Sequence, residues 1–153
     1  MKISRIPLTL VAIALLSSCS VAAPKPLNPA VGIVEEFMSA YNAKNVEKLV
    51  SLYASDAIVV SEAGIAQGHE AIEARLSAGV KKGNIITELH HAKDESSGTL
   101  SYTEGSADIT SGNQHLRRRY LVVVRTIASH SQIILHYSLP AVERTAGPQG
   151  PSR

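Results

Sequence analysis

A single cysteine, Cys19, occurs in 153 residues. That excludes an internal disulfide, and it leaves the histidines no thiolate partner for a structural metal centre. There is no glycine-rich phosphate loop, no nucleophile elbow and no zinc motif. The chain therefore carries no signature of nucleotide, hydrolase-elbow or metalloprotease chemistry, and no cofactor is expected. His90-His91 is no exception, because consecutive strand residues face opposite ways and cannot share one ion. His69, His115 and His130 fall at segment ends, so no metal site is expected either. Excess charge is missing too. The chain has 15 Lys+Arg against 13 Asp+Glu. Setting aside Lys2 and Arg5 of the leader leaves 13 against 13, which speaks against nucleic acid as a partner. Arg117-Arg118-Arg119 is the only basic concentration, and three residues do not reverse that balance.

Long apolar runs are also lacking. Leu8 to Leu16 is well short of the roughly 20 residues a spanning helix needs. Preceded by Lys2 and Arg5, it reads as the apolar region of an export signal over residues 1–18. Cleavage after Ala23 is disfavoured by Pro24, whose imide makes a poor scissile bond. Leu16-Ser17-Ser18-Cys19 resembles a bacterial lipobox, so Cys19 is the expected lipidation site. Residues 19–29, rich in proline, read as a tether, and residues 143–153 as a disordered tail. The expected address is the cell envelope, lipid-anchored and facing the periplasm. Ser20, standing where aspartate would signal retention, favours the outer membrane.

Between these segments, residues 30–142 carry one domain's pattern. Ile33, Val34, Phe37, Met38 and Tyr41 form a helical stripe, with Glu35 and Glu36 placed near that helix's N-terminus. Asn45 caps a second helix with Val46, Leu49, Val50 and Tyr53 on its apolar side. Ala57 to Val60 is a short strand. Gly68 opens a third helix with Ile72 and Leu76 inward, stopped by Gly83. Strands follow at 85–91, 99–110, 115–126 and 132–139, the first closed by the polar turn 94–98. Within the third of these, Tyr120 to Val124 is a continuous apolar run of the kind buried on both faces. Helices followed by a strand meander predict an α+β fold, with three N-terminal helices on a curved antiparallel sheet.

Tyr41 to Ala57 (YNAKNVEKLVSLYASDA), Gly68-His69-Glu70-Ala71-Ile72, Tyr102 to Gly105 and Ile134 to Pro140 resemble, in that order, the SnoaL-like branch of the nuclear transport factor 2-like superfamily. The ending also resembles the calcium/calmodulin-dependent kinase II association domain. The resemblance implies a cone-shaped fold, a pocket between the first helix and the sheet, and homodimers. It implies no single activity, because function resides in the site.

Aligned with the ketosteroid isomerases of that superfamily, the position of the proton-abstracting carboxylate falls on Ser61, and that of the oxyanion-donating tyrosine on Phe37. Neither residue can take the role. Glu62 neighbours Ser61, but strand alternation turns it to the other face. Asp56, at a helix-to-strand turn, is expected to bond nearby backbone amides. Asp108, near a strand end, is expected to be solvated. His136 and Ser138 share a face of the last strand. With Tyr41, Tyr102 and Arg119 they make the candidate pocket, able to hold a small apolar or carboxylate-bearing molecule. A one-residue register change would substitute Arg118 for Arg119. The expected function is binding of a small organic molecule. The alternatives are an enzyme (a cyclase, dehydratase or hydrolase) using His136 with Tyr102 or Arg119, and a non-catalytic oligomerisation module.

Overall fold

The computed structural model describes residues 28–141, so Cys19, the leader and the C-terminal tail lie outside the described residues. The first helix, α1 (Pro29–Asn42), starts earlier than its apolar stripe suggests. Asn28 caps it by accepting from the Ala30 amide at 2.8 Å, and Pro29 fills a first-turn position that needs no amide. Glu35 and Glu36 consequently sit in the second turn, where Glu36 meets Lys48 at 2.6 Å. The second helix, α2 (Val46–Ser51), is capped by Asn45, which accepts from the Lys48 amide.

Tyr53 is not on that helix. The chain turns at Leu52, and β1 (Tyr53–Ser61) begins at once, longer than the apolar segment alone suggests. A hairpin follows with β2 (Gly64–Gln67), too short to leave a sequence signal. Gly68, at φ +78°, then opens α3 (Gly68–Lys81), and Gly83, at φ +73°, follows its end. Three long hairpin-linked strands and a final one complete the chain: β3 (Ile85–Ser97), β4 (Leu100–Ser111), β5 (Gln114–Ile127) and β6 (His130–Pro140). The polar segment 94–98 is mostly strand, and Gly98, at φ +59°, supplies the turn.

Two expectations are corrected by this order. The helices do not all precede the sheet, since α3 follows the β1–β2 hairpin. The sheet is mixed rather than antiparallel: its order is β2-β1-β6-β5-β4-β3, and β1 runs parallel to β6. A strand leaving by way of α3 and returning three strands later arrives in the same direction as β1, which a simple meander does not allow.

The helices cover one face. Tyr53, Leu49, Ile72, Ile133, Val122 and Val124 are the large side chains most completely buried there. Each stabilises the fold by roughly 1.5–3 kcal/mol through loss of apolar surface from water. Asn42 fastens the end of α1 to the sheet edge, donating to the Ile86 carbonyl at 2.8 Å and accepting from the Ile86 amide at 2.9 Å. On β5 the side chains alternate: Tyr120, Val122 and Val124 are buried inward, whereas Leu121 and Val123 are only partly covered on the outer face. The expectation of a strand buried on both faces is thus corrected.

Candidate functional site

A cavity of about 400 Å³ lies between α1, α3 and the inner face of the sheet. Its body is apolar: Val34 and Phe37 from α1, Leu76 from α3, and Ile86, Leu89, Ala107, Ile109, Val122 and Ile133 from the sheet. The polar groups are few: Tyr41, Asn84, Tyr120, His136 and Ser138 within, and Ser61, Glu62, Arg75, Lys82 and Arg118 toward the β1–β2 turn. A mostly apolar wall with a few convergent polar groups is the usual make-up of a small-molecule site.

His136 is held on three sides. Its ring stacks on Tyr53 at 6.1 Å with planes 17° apart, and meets the Phe37 ring edge-on at 5.3 Å. Its Nδ1 lies 2.6 Å from the Tyr53 hydroxyl. Tyr53 is fully buried, and His136 is the only partner of its hydroxyl among the described residues. A buried O–H left undonated costs free energy, so Tyr53 donates and Nδ1 accepts. The proton of the neutral imidazole therefore resides on Nε2, which has no hydrogen-bond partner among the described residues. Burial, with the positive charge of Arg118 nearby, pushes the His136 pKa down to about 4. At neutral pH this histidine is a fixed hydrogen-bond donor rather than a base. Burial also raises the Tyr53 pKa, which keeps that hydroxyl protonated.

Arg118 stands on the cavity wall near the β1–β2 turn. Its Nε donates to Ser138 Oγ at 3.1 Å, and Nη2 to the Ser138 carbonyl at 2.8 Å. The outer edge of the guanidinium grips Glu62 in a two-point pair, Nη1 to Oε1 at 2.9 Å and Nη2 to Oε2 at 2.5 Å. Hydrogen bonding to Arg118 holds the Glu62 carboxyl down to about 2. Glu62 does not follow strand alternation, because it sits in the turn after β1. The expectation that it faces away from Ser61's side is corrected, and both residues line the cavity. Arg75, from α3, fixes this turn by donating to Ser61 Oγ at 2.8 Å and to the Gly64 carbonyl at 2.6 Å.

Tyr41 lies one turn along α1 from Phe37, ring on ring at 5.9 Å. Burial raises its pKa, countered by Arg118 and by a hydrogen bond from Asn84. Asn84 Oδ1 is itself buried, with no hydrogen-bond partner among the described residues.

Of the residues expected to form the pocket, Tyr41, His136 and Ser138 are on its wall. Arg119 and Tyr102 are not. Arg119 is exposed on the outer face, and Arg118 points inward beside Ala107. The uninterrupted apolar run after these arginines hides which phase of β5 faces the core. Tyr102 is outward opposite Val123, while its small neighbours Ser101 and Thr103 are buried. Asp56 is exposed and pairs with Arg125 at 3.2 Å rather than with backbone amides. Asp108, near the end of β4, is not simply solvated: Arg117 donates to it at 2.6 and 2.7 Å, and His90 approaches at 3.1 Å. Glu88, His90 and Asp108 bring one ligand atom each within 4.8 Å. The Arg117 fork occupies both Asp108 oxygens, so the trio is an ion-pair network on the outer face. His91 faces the other way, with Nδ1 2.9 Å from the Tyr120 hydroxyl. No sequence motif joins Arg118, Glu62, Arg75 and Asn84 as a set. Only phase-matching Arg118 to Tyr120 and Val122 points to the first of them.

No family model matches the chain, and no curated protein sequence matches it. Solved structures match in shape. A nuclear transport factor 2-like protein of unknown function from Pseudomonas putida KT2440 aligns at TM-score 0.65 and 18% identity, over 75% of this chain and 86% of that one. One assigned to the calcium/calmodulin-dependent protein kinase type II association domains, from Thiobacillus denitrificans ATCC 25259, aligns at TM-score 0.67 and 14% identity, over 77% and 100%. A ketosteroid isomerase-like protein from Erwinia carotovora atroseptica aligns at TM-score 0.63 and 11% identity, over 73% and 93%. At these identities the likeness is one of fold: the chain has the nuclear transport factor 2-like α+β fold, with a curved six-stranded mixed sheet.

Proposed function

We propose that this protein is an exported lipoprotein of the SnoaL-like branch whose cavity binds a small organic molecule with an apolar body and an oxygen-bearing end, a carbonyl or carboxylate. The carrying observation is the cavity itself: about 400 Å³ of largely apolar wall with the donors of Arg118 and His136 on it. A ring system fills the space between Phe37, Leu76 and Ile109, and its oxygen accepts from Nε2–H of His136 or from the guanidinium fork. Titrating the protein with naphthalene-2-carboxylate, followed by backbone amide NMR, tests this. Perturbations concentrated on α1, α3 and the inward positions of β4 to β6 are expected. Perturbations scattered over the surface, or none, overturn it.

Binding is favoured over catalysis by two placements. Among the described residues lining the cavity, Glu62 is the only carboxylate, and Arg118 holds both its oxygens. His136, whose free nitrogen carries the proton, has neither Tyr102 nor Arg119 beside it on the cavity wall. The isomerase roles stay vacant as well: Ser61 accepts from Arg75, and Phe37 has no hydroxyl.

The address rests on the sequence alone. Cys19 carries the lipid, the residues after it tether the domain, and Ser20 directs it to the outer membrane, facing the periplasm. Mass spectrometry of the mature N-terminus checks this: a lipid-modified Cys19 is expected, and an unmodified chain beginning at Pro24 contradicts it. A second copy pairs through the outer face of the sheet, where Tyr102, Leu121, Val123, Leu135 and Tyr137 are all at least partly exposed. Sedimentation giving only monomer at tens of micromolar, about ten times a weak dissociation constant near 1 μM, overturns the dimer.

A further inference from the structure

We propose that Glu62 is a built-in competitor for the cavity's cationic end: an incoming carboxylate takes Arg118 from it, and Glu62 thereby sets how strongly the site prefers acids over neutral molecules. This rests on the binding reading above and adds a determinant of specificity to it.

The geometry separates a fixed half of the pair from a movable half. Arg118 is anchored from behind, by Nε on Ser138 Oγ and Nη2 on the Ser138 carbonyl. Its side chain is only 19% exposed, so its fork stays aimed when its outer partner changes. Arg118 is the only side chain that hydrogen-bonds the Glu62 carboxylate among the described residues, and the Glu62 side chain is 55% exposed. The backbone beneath it is held by other means, since Arg75 ties Ser61 Oγ and the Gly64 carbonyl. Glu62 can therefore swing into solvent without loosening the turn. Lys82 also lines this rim and already attracts the Glu62 carboxylate, which gives the displaced group a resting place.

The charges favour exchange over simple addition. Arg75, Lys82 and Arg118 stand at this end against Glu62 alone. A neutral ligand leaves the Arg118–Glu62 pair intact. A carboxylate reproduces the two-point contact with the same fork, and loses only what Glu62 gained there. That competing gain is small for a half-exposed partner, so its removal releases affinity for acids and for no other ligand.

Naphthalene-2-carboxylate and naphthalene-2-carboxamide share a ring and nearly a shape, and differ in charge. Calorimetric titration of each into the wild-type protein, Glu62→Gln and Arg118→Gln gives the test. Glu62→Gln is expected to bind the carboxylate roughly fivefold more tightly, the upper range of a partly exposed ion pair. Its affinity for the carboxamide stays within about twofold, since no charged contact changes. Arg118→Gln is expected to lose the preference for the acid, and thermal melts confirm that each variant is folded. Carboxylate affinity unchanged or weakened in Glu62→Gln, with the carboxamide still binding, overturns the competitor role while the binding reading stands. Failure of both probes to bind any of the three proteins overturns both.

Discussion

Acidification should weaken this protein through one histidine. Folding places His136 against Tyr53 and Phe37, where an imidazolium is poorly solvated and stands near Arg118, so its pKa falls from an ordinary 6.5 to about 4. The unfolded chain then binds more protons than the folded one between those values. The stabilisation is complete above pH 6.5, declines as pH falls toward 4, and is gone below. At about 1.4 kcal/mol for each tenfold change in proton affinity, the full loss is about 3 kcal/mol. The ring is not wholly sealed from solvent, which makes that figure an upper bound. Urea unfolding of the wild type and of His136→Gln at pH 7.5, 6.5, 5.5 and 4.5 isolates the effect, since other groups act equally on both. The wild type should lose more stability than the variant, by roughly 2–3 kcal/mol at pH 4.5. Parallel curves, or an NMR titration putting His136 near 6.5, would refute the placement of this ring.

Three further outcomes follow from named contacts. Tyr53→Phe removes the donor to His136 Nδ1, so it should cost about 1–3 kcal/mol and let the imidazole proton move to Nδ1, visible in nitrogen-15 shifts. Gly105→Ala should destabilise severely, by 3 kcal/mol or roughly more, because its Cβ would lie 1.9 Å from the His90 carbonyl oxygen and 2.8 Å from the Tyr120 hydroxyl; thermal melting checks it. Asn42→Ala strips both groups of Ile86 of their partner and should cost about 2–3 kcal/mol in denaturant unfolding, with faster amide exchange at the start of β3.

The parts of the fold that depend on local chemistry were readable from the residues. Asn45 as a cap, Gly68 and Gly83 as the limits of α3, and the helical spacing of Ile33 to Tyr41 all act within a few residues. What failed depended on long-range pairing. The parallel contact of β1 with β6 leaves no mark on either strand alone. Tyr53 continues the apolar spacing of α2, and only its long-range pairing with Ile133 and its contact with His136 show that it belongs to the sheet. The site failed in the same way. Arg118 and Arg119 are equivalent until the phase of β5 is known, and five successive apolar residues conceal that phase. Ser101 and Thr103 take the inward positions of β4, so strand alternation turns Tyr102 outward. Glu62 escaped strand alternation because the strand had ended.

The account turns on the cavity being a binding site rather than a gap in the packing. Ala107 lines it and is buried, so Ala107→Leu adds volume inside an existing space and leaves the surface unchanged. Calorimetric titration of naphthalene-2-carboxylate into wild-type and Ala107→Leu protein is the most direct measurement. Saturable binding to the wild type, lost in a variant that melts at the same or a higher temperature, is the predicted result. Equal binding to both proteins would place the ligand elsewhere, and no binding to either would contradict the account.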